Sequence, residues 1–127
     1  MDAVADAIAA IDNDEAPDKE TLKAAVRELL RALAAKAPGH SVEVRVPPYG
    51  AVQCVEGPRH RRGTPPNVVE CHPVVFVELA AGRLAFADAV AAGRVSASGQ
   101  RADLTEVLPL TGPRGEPLDA READADE

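Results

Sequence analysis

Hydrophobic side chains recur at helical spacing in the first well-defined part of the chain. Over residues 18–36 they repeat every three or four positions, which predicts an amphipathic helix. The apolar stripe consists of Leu22, Val26, Leu29, Leu30 and Leu33. Asp18 suits the N-cap of this helix, and Pro38-Gly39 ends it.

The pattern changes to strict alternation after this helix. Residues 41–46 place three valines on one face and Glu43 and Arg45 on the other, which predicts a strand. A proline-rich turn separates it from a second strand over residues 51–56. Residues 57–67 contain three prolines and several basic side chains, so neither a helix nor a central strand is expected there.

A short third strand is predicted over residues 68–71, and helical spacing then returns. Val74 to Val77 favour a strand locally, but Pro73 suits a first helical position and Gly82 a C-terminal cap. The apolar stripe between them predicts a helix over residues 73–81.

The remaining pattern completes the element order. A further helix is predicted over residues 85–92 and a fourth strand over residues 94–98. Asp103 is placed to cap a last short helix that carries Leu104, Val107 and Leu108. This order predicts an α+β fold, with a mainly antiparallel sheet and helices packed on one face.

Acidic side chains concentrate at the two ends of the chain. The 127 residues carry a formal charge of −7, and most of the excess acid lies in residues 1–15 and 113–127. We predict that both segments are solvated tails around a single domain over residues 16–112. Val4, Ala7, Ile8 and Ile11 have helical spacing, so a short N-terminal helix is an alternative to the first tail.

The composition argues against membrane-spanning, secreted and nucleic-acid-binding classes of protein. No apolar run approaches the roughly 20 residues that cross a bilayer, and the N-terminus has no basic segment of the kind found in signal peptides. We therefore expect a cytoplasmic protein. Nucleic acid is not expected as a partner, because the central body is close to neutral and only 2% of the residues are aromatic.

The cysteine and histidine residues give a weak metal pattern. Cys54, Cys71 and His72, completed by His60 or His40, contain the right ligand types for zinc. Their spacing does not bring two ligands onto one turn, so buried, reduced, metal-free thiols are the prediction. A disulfide between Cys54 and Cys71 would require their strands to pair. No catalytic constellation and no cofactor-binding motif is found, so no catalytic residue is predicted.

One basic cluster lies in the proline-rich loop. Arg59, Arg61 and Arg62 surround His60, and guanidinium groups bind phosphate or carboxylate in pairs of hydrogen bonds. We expect an acidic protein or an anionic lipid headgroup as a candidate partner. The alternative is a solvated loop neutralised by the acidic ends of the same chain.

The second half of the chain carries a resemblance to a known family. A helix ending at Gly82, a second ending at Gly93, a basic residue, a short alternating strand and Gly99 resemble the signature of the sterol carrier (non-specific lipid-transfer) protein superfamily. The other residues of this pattern are Leu79, Ala89, Arg94, Val95 and Ala97. The strings at residues 42–49, 52–57 and 62–70 look like the compact single-domain bacterial branch of that superfamily.

The resemblance implies a non-enzymatic carrier for a small hydrophobic, lipid-like ligand, held without a cofactor between the sheet and the C-terminal helices. By position, the residues expected to line the site are Phe76, Leu79, Phe86, Val90, Val107 and Leu108 on the helical side and Val52 and Cys54 on the sheet. An ordinary core position is the alternative for each of them. For the whole domain, the alternatives are a protein-interaction or regulatory module with a filled core and an accessory domain to an enzyme.

Overall fold

A computed structural model describes residues 2–57 and 67–118 of the chain. Within them the element order is α1 (Asp2–Asp12), α2 (Lys19–Lys36), β1 (Val42–Val46), β2 (Gly50–Cys54), β3 (Asn67–Cys71), α3 (Pro73–Ala80), α4 (Phe86–Ala91) and β4 (Val95–Ser98). The predicted α+β class is confirmed.

The four strands form one mixed sheet in the order β2-β1-β3-β4. The outer pairs are antiparallel, but the central pair, β1 and β3, is parallel. The prediction of a mainly antiparallel sheet therefore needs a correction at its centre. Because β1 and β2 form a hairpin, β2 ends beside the start of β1. Strand β3 begins at the same end of the sheet, on the other side of β1, and therefore runs parallel to β1.

Helices cover one face of this sheet. The valines of β1 at positions 42, 44 and 46 are fully buried on that face, as the alternation predicted. Glu43 and Arg45 lie on the opposite face, where the Arg45 Nε donates to Glu43 Oε2 at 2.5 Å. Helix α2 contacts β2 and α3, and α4 contacts β4. The sheet is therefore apolar toward the helices and polar toward solvent.

The predicted first helix is confirmed as α2. The Asp18 carboxylate accepts a hydrogen bond from the backbone N–H of Thr21 at 3.3 Å and caps the helix. All five residues of the predicted apolar stripe are buried. The helix ends at Lys36. The N–H of the next residue, Ala37, still donates to the Leu33 carbonyl.

Helix α3 forms despite the strand preference of its valines. Pro73 occupies its first turn, and His72 Nδ1 accepts a hydrogen bond from the Val74 N–H at 3.1 Å. Most of its side chains are buried, including Val75, Phe76 and Val77. A helix that is apolar on nearly all sides is typical of a core position. Tertiary packing therefore overrides the local preference of these residues.

The predicted N-terminal tail over residues 1–15 is wrong for Asp2–Asp12, which form α1. Val4, Ala7 and Ile8 are 0–1% exposed in the same core as α2 and α3. The acidic side chains of α1 lie on its exposed face, so their charge does not oppose folding. The helical spacing in this segment was the better indicator.

Part of the predicted C-terminal tail also packs on the domain. At Gly115, a Cβ atom would lie 3.0 Å from the Ala5 nitrogen and the Val4 side chain, so the backbone approaches α1 closely. Arg83 Nη1 donates to the Pro113 carbonyl at 2.9 Å and also binds the Asp12 carboxylate. Pro113 and Gly115 are thus in contact with the body, whereas Leu118 is exposed, and residues 119–127 lie outside the described part.

The predicted last helix at Asp103 is reduced to a single turn. The Asp103 carboxylate accepts from the Thr105 N–H at 2.8 Å, and the Leu108 N–H donates to the Leu104 carbonyl. Pro109 has no N–H to continue a helix and disfavours helical backbone at the preceding residue. The chain instead continues without regular secondary structure and bends at Leu110 and Thr111, whose N–H groups both donate to the Ala80 carbonyl.

Candidate functional site

An apolar cleft of about 250 Å³ lies between the C-terminal end of α3, the start of α4 and the segment after β4. We call it the main cleft. The residues that line it are Leu79, Gly82, Leu84, Ala85, Phe86, Thr105, Leu108 and Pro109. None of these side chains is charged, so the main cleft is suited to an apolar group.

A second depression of about 270 Å³ lies beside the main cleft. We call it the outer hollow. It is lined by Phe86, Ala87, Val90, Ala97, Ala102, Asp103 and Thr105. Phe86 and Thr105 line both spaces, so the main cleft and the outer hollow are neighbours on the two sides of these side chains.

The segment after β4 forms one wall of the main cleft, which we call the far wall. This wall is anchored at both ends. Leu104, which is 1% exposed, fixes its start in the core. At the other end, Leu110 and Thr111 are bound to Ala80 by the backbone hydrogen bonds described above, and Lys36 Nζ donates to the Pro109 carbonyl at 2.8 Å. Thr105 and Leu108, which line the cleft, therefore lie in a short stretch between two fixed points.

The loop between α3 and α4 forms the opposite wall of the main cleft, which we call the near wall. Gly82 has a φ of +71°, a conformation that favours glycine, and a Cβ atom there would lie 3.2 Å from the Pro109 side chain. A side chain at this position would therefore press on the far wall. The loop turns sharply here and places Leu84 and Ala85 at the mouth of the cleft.

The structure brings together part of the predicted ligand-binding set. Leu79, Phe86 and Leu108 line the main cleft, and Phe86 and Val90 line the outer hollow. Phe76 is 1% exposed in the core, and Val107 is half-buried beside the cleft without lining it.

Val52 and Cys54 are placed elsewhere. Both lie on β2, which forms the edge of the sheet opposite β4. Neither residue lines the main cleft or the outer hollow. The order of the strands, which the sequence pattern does not reveal, separates them from the other predicted residues.

Several residues of the site were not predicted. Leu84, Ala85, Thr105 and Pro109 line the main cleft from loops and turns. Asp103 was expected only as a helix cap, but it also lines the outer hollow. No periodicity marks such positions, and the one available signal was the turn chemistry around Gly82 and Pro109.

The two thiols are buried and far apart. Strand β1 lies between the strands that carry Cys54 and Cys71. With strands about 4.8 Å apart and residues about 3.3 Å apart along them, the two Cα atoms are on the order of 16 Å apart, well beyond disulfide reach. Burial raises the pKa of Cys54 to about 11, and burial together with the neighbouring Glu70 carboxylate raises that of Cys71 to about 12. Both are therefore protonated at neutral pH.

The other candidate metal ligands in the described part of the chain do not assemble around these thiols. His72 caps α3 through Nδ1, and His40 Nδ1 lies 2.9 Å from the side-chain oxygen of Gln53. Among the described residues, no group of three or more Cys, His, Asp or Glu side chains is arranged to hold a metal ion. The predicted anion-binding residues Arg59, Arg61 and Arg62, with His60, lie outside the described ranges.

Fold and cleft together define the class of this protein: a small α+β domain whose mixed sheet is covered on one face and whose helical layer carries an apolar cleft. The chain belongs to the family described as bacterial SCP ortholog, where SCP denotes sterol carrier protein, and the family model matches residues 18–110. The resemblance seen in the sequence is thereby confirmed. No curated protein matches the chain.

At family level, this match supports a lipid-binding carrier role for the domain. The matched segment contains every strand and three of the four described helices, and it includes both walls of the main cleft. Of the described helices, none combines the length and the hydropathy needed to cross a bilayer.

Proposed function

We propose that this protein is a non-enzymatic carrier for a small hydrophobic, lipid-like ligand, which binds in the main cleft and extends into the outer hollow. The observation that supports this most directly is the uncharged lining of the main cleft, with Leu79, Leu84, Phe86 and Leu108 on its walls. Contact with these side chains removes apolar ligand surface from water, at about 25 cal/mol per Å². A cytoplasmic location, expected from the sequence, is part of this proposal.

The volumes favour a flexible ligand over a bulky rigid one. Ordinary ligand pockets span roughly 300–1,000 Å³, and the main cleft alone, at about 250 Å³, falls below that range. A ligand that also occupies the outer hollow, another 270 Å³, reaches it. Because Phe86 and Thr105 lie at the boundary of the two spaces, such a ligand has to bend around them. A single alkyl chain meets this requirement.

A binding assay with the neutral dye Nile red tests the proposal. Its fluorescence should rise on binding to the protein and fall again when decanol is added, with micromolar affinity for both. In Ala85→Trp, an indole ring would occupy the mouth of the main cleft, because Ala85 is exposed and lines it. We expect this variant to lose at least tenfold in affinity for the dye, or about 1.4 kcal/mol.

A matched control separates blocking of the cleft from a general effect of tryptophan. Ala24 is exposed on the outer face of α2, away from both spaces, so Ala24→Trp should bind the dye like the unmodified chain. Both variants should keep the far-ultraviolet circular dichroism of the unmodified chain. Equal binding by the two variants, or no binding of dye by the unmodified chain, would contradict the proposed site.

One observation favours a second candidate function. The space between the sheet and α3 is filled, since Val44, Val69, Phe76 and Leu79 are all 0–2% exposed. The site is therefore a surface cleft rather than an enclosed cavity, and such a cleft also suits a protein-interaction module that receives an apolar side chain. Binding of decanol in the assay above favours the carrier. A cleft that binds neither dye nor alcohol favours the interaction module.

A further inference from the structure

A single carboxylate lies at one end of the proposed site. Among the described residues that line the main cleft and the outer hollow, Asp103 is the one with a charged side chain. It belongs to the outer hollow, whose remaining lining residues are apolar except for Thr105. The polar end of a bound ligand is therefore expected to meet Asp103 and Thr105, while its apolar part lies in the main cleft.

The Asp103 carboxylate is fixed in place and kept ionised. It accepts a hydrogen bond from the Thr105 N–H at 2.8 Å. Hydrogen bonds from the hydroxyl and the backbone N–H of Thr105 hold the pKa of Asp103 below its usual range. Its negative charge is thus present throughout the neutral pH range and does not depend on a ligand.

Four cations of the described residues lie near the proposed site, and none of them lines it. Arg101, two residues before Asp103, directs its guanidinium group toward Gly57, where a Cβ atom would lie 3.3 Å from its Nη1. Arg83, in the loop before α4, binds the Asp12 carboxylate, and Arg94, after α4, binds Glu78 at 3.3 Å. Lys36 lies at the opposite end of the main cleft, where its ammonium group donates to the Pro109 carbonyl. Neither Arg83, Arg94 nor Lys36 lines the main cleft or the outer hollow.

We infer that Asp103 and Thr105 select the headgroup of the ligand: the site takes chains that end in a neutral hydroxyl or a cationic amine and disfavours those that end in a carboxylate or phosphate. This inference rests on the proposed function. An alcohol or an ammonium group donates a hydrogen bond to the Asp103 carboxylate. A carboxylate has no proton to donate. It is also repelled, since Asp103 is exposed and two like charges a few ångströms apart at an exposed position repel each other in a buffer of low ionic strength.

Three probes of equal chain length test the inference: decanol, decylamine and decanoate, each competing with Nile red in a buffer of low ionic strength. In the unmodified chain, we expect decanoate to bind about tenfold more weakly than decanol, and decylamine at least as tightly as decanol. In Asp103→Asn, which keeps an acceptor for the Thr105 N–H, the ratio of decanoate to decanol affinity should shift toward decanoate by about fivefold. Added salt should reduce the discrimination in the unmodified chain.

Glu106→Gln is the matched control. Glu106 is exposed and close in sequence to Asp103, but it lines neither the main cleft nor the outer hollow. Glu106→Gln removes one negative charge, as Asp103→Asn does. This variant should leave the ratio unchanged, and an equal shift in both variants would overturn the inference in favour of overall charge. Decanoate binding more tightly than decanol and weakening in Lys36→Gln would also overturn it, because the headgroup would then lie at the Lys36 end.

The failure of the inference is distinguishable from the failure of the proposed function. If Nile red and the probes bind but Asp103→Asn leaves their order unchanged, the carrier proposal stands and the headgroup selection is wrong. If neither the dye nor any probe binds, both are wrong.

Discussion

The packing of α1 gives the sharpest test of the fold, through the substitution Ile8→Ala. Ile8 is 1% exposed and lies with the fully buried Val4 and Ala7 in the common core. The substitution removes three carbon atoms from a closely packed site and leaves a cavity. Buried isoleucine-to-alanine changes cost about 2–5 kcal/mol, and we expect about 3 kcal/mol because the side chain is completely enclosed.

Urea unfolding followed by far-ultraviolet circular dichroism measures this loss. The chain has no tryptophan and a single tyrosine, so intrinsic fluorescence would be a poor reporter. At this chain length, 1 kcal/mol corresponds to about 4 °C in Tm, so Ile8→Ala should lower Tm by about 12 °C. The urea midpoint should fall without a large change in the m-value, since the unfolded chain exposes nearly the same surface.

Ile11→Ala is the matched control in the same helix. It makes the same chemical change, but Ile11 is only half-buried, so the expected loss is about 1 kcal/mol. The reasoning is refuted if Ile8→Ala unfolds at the same urea concentration as the unmodified chain, or if the two substitutions cost the same. An unchanged midpoint for Ile8→Ala would mean that residues 2–12 do not pack in the core, as the prediction of a solvated N-terminal tail implied. Equal losses would contradict the difference in burial between the two isoleucines.

Two further predictions concern the thiols and Arg83. Because folded Cys54 and Cys71 hold their protons to about pH 11 and 12, against an ordinary pKa of 9.0, the unfolded chain ionises first and the free energy of unfolding should fall as the pH rises above 9. The slope should be smaller in Cys71→Ala, and a slope independent of this substitution would contradict the assignment. Arg83→Ala removes the contacts to the Asp12 carboxylate and the Pro113 carbonyl, and should cost about 0.5–1 kcal/mol in urea unfolding. In the double variant with Asp12→Asn the losses should not add, and full additivity would show that the pair does not interact.

Periodicity predicted the elements that bury a single apolar face. In α2 and β1 the apolar stripe and the sheet contact are set by local spacing, so the pattern contains the required information. Helix α1 has such a stripe too, but its acidic composition was given more weight than its spacing. Its apolar face is buried against α2 and α3, and the sequence pattern does not show that these helices lie beside it.

The site was harder to predict than the fold because it is assembled from loops. Leu79, Phe86 and Leu108 were identified through a family resemblance, and they do meet in the main cleft. Asp103 and Thr105 owe their positions to a single turn after β4, which follows no repeating pattern. The separation of Val52 from the cleft follows from the strand order β2-β1-β3-β4, which depends on how the chain crosses the sheet.

One wall of the cleft is in contact with parts of the chain that the family model does not match. The matched segment, residues 18–110, supplies both of its walls. Arg83, however, lies between Gly82 and Leu84, which line the cleft, and its guanidinium group is bound to Asp12 of α1 and to Pro113. The position of the near wall is therefore coupled to two segments outside the common domain. The residues that the family model matches therefore do not supply every contact that holds this wall in place.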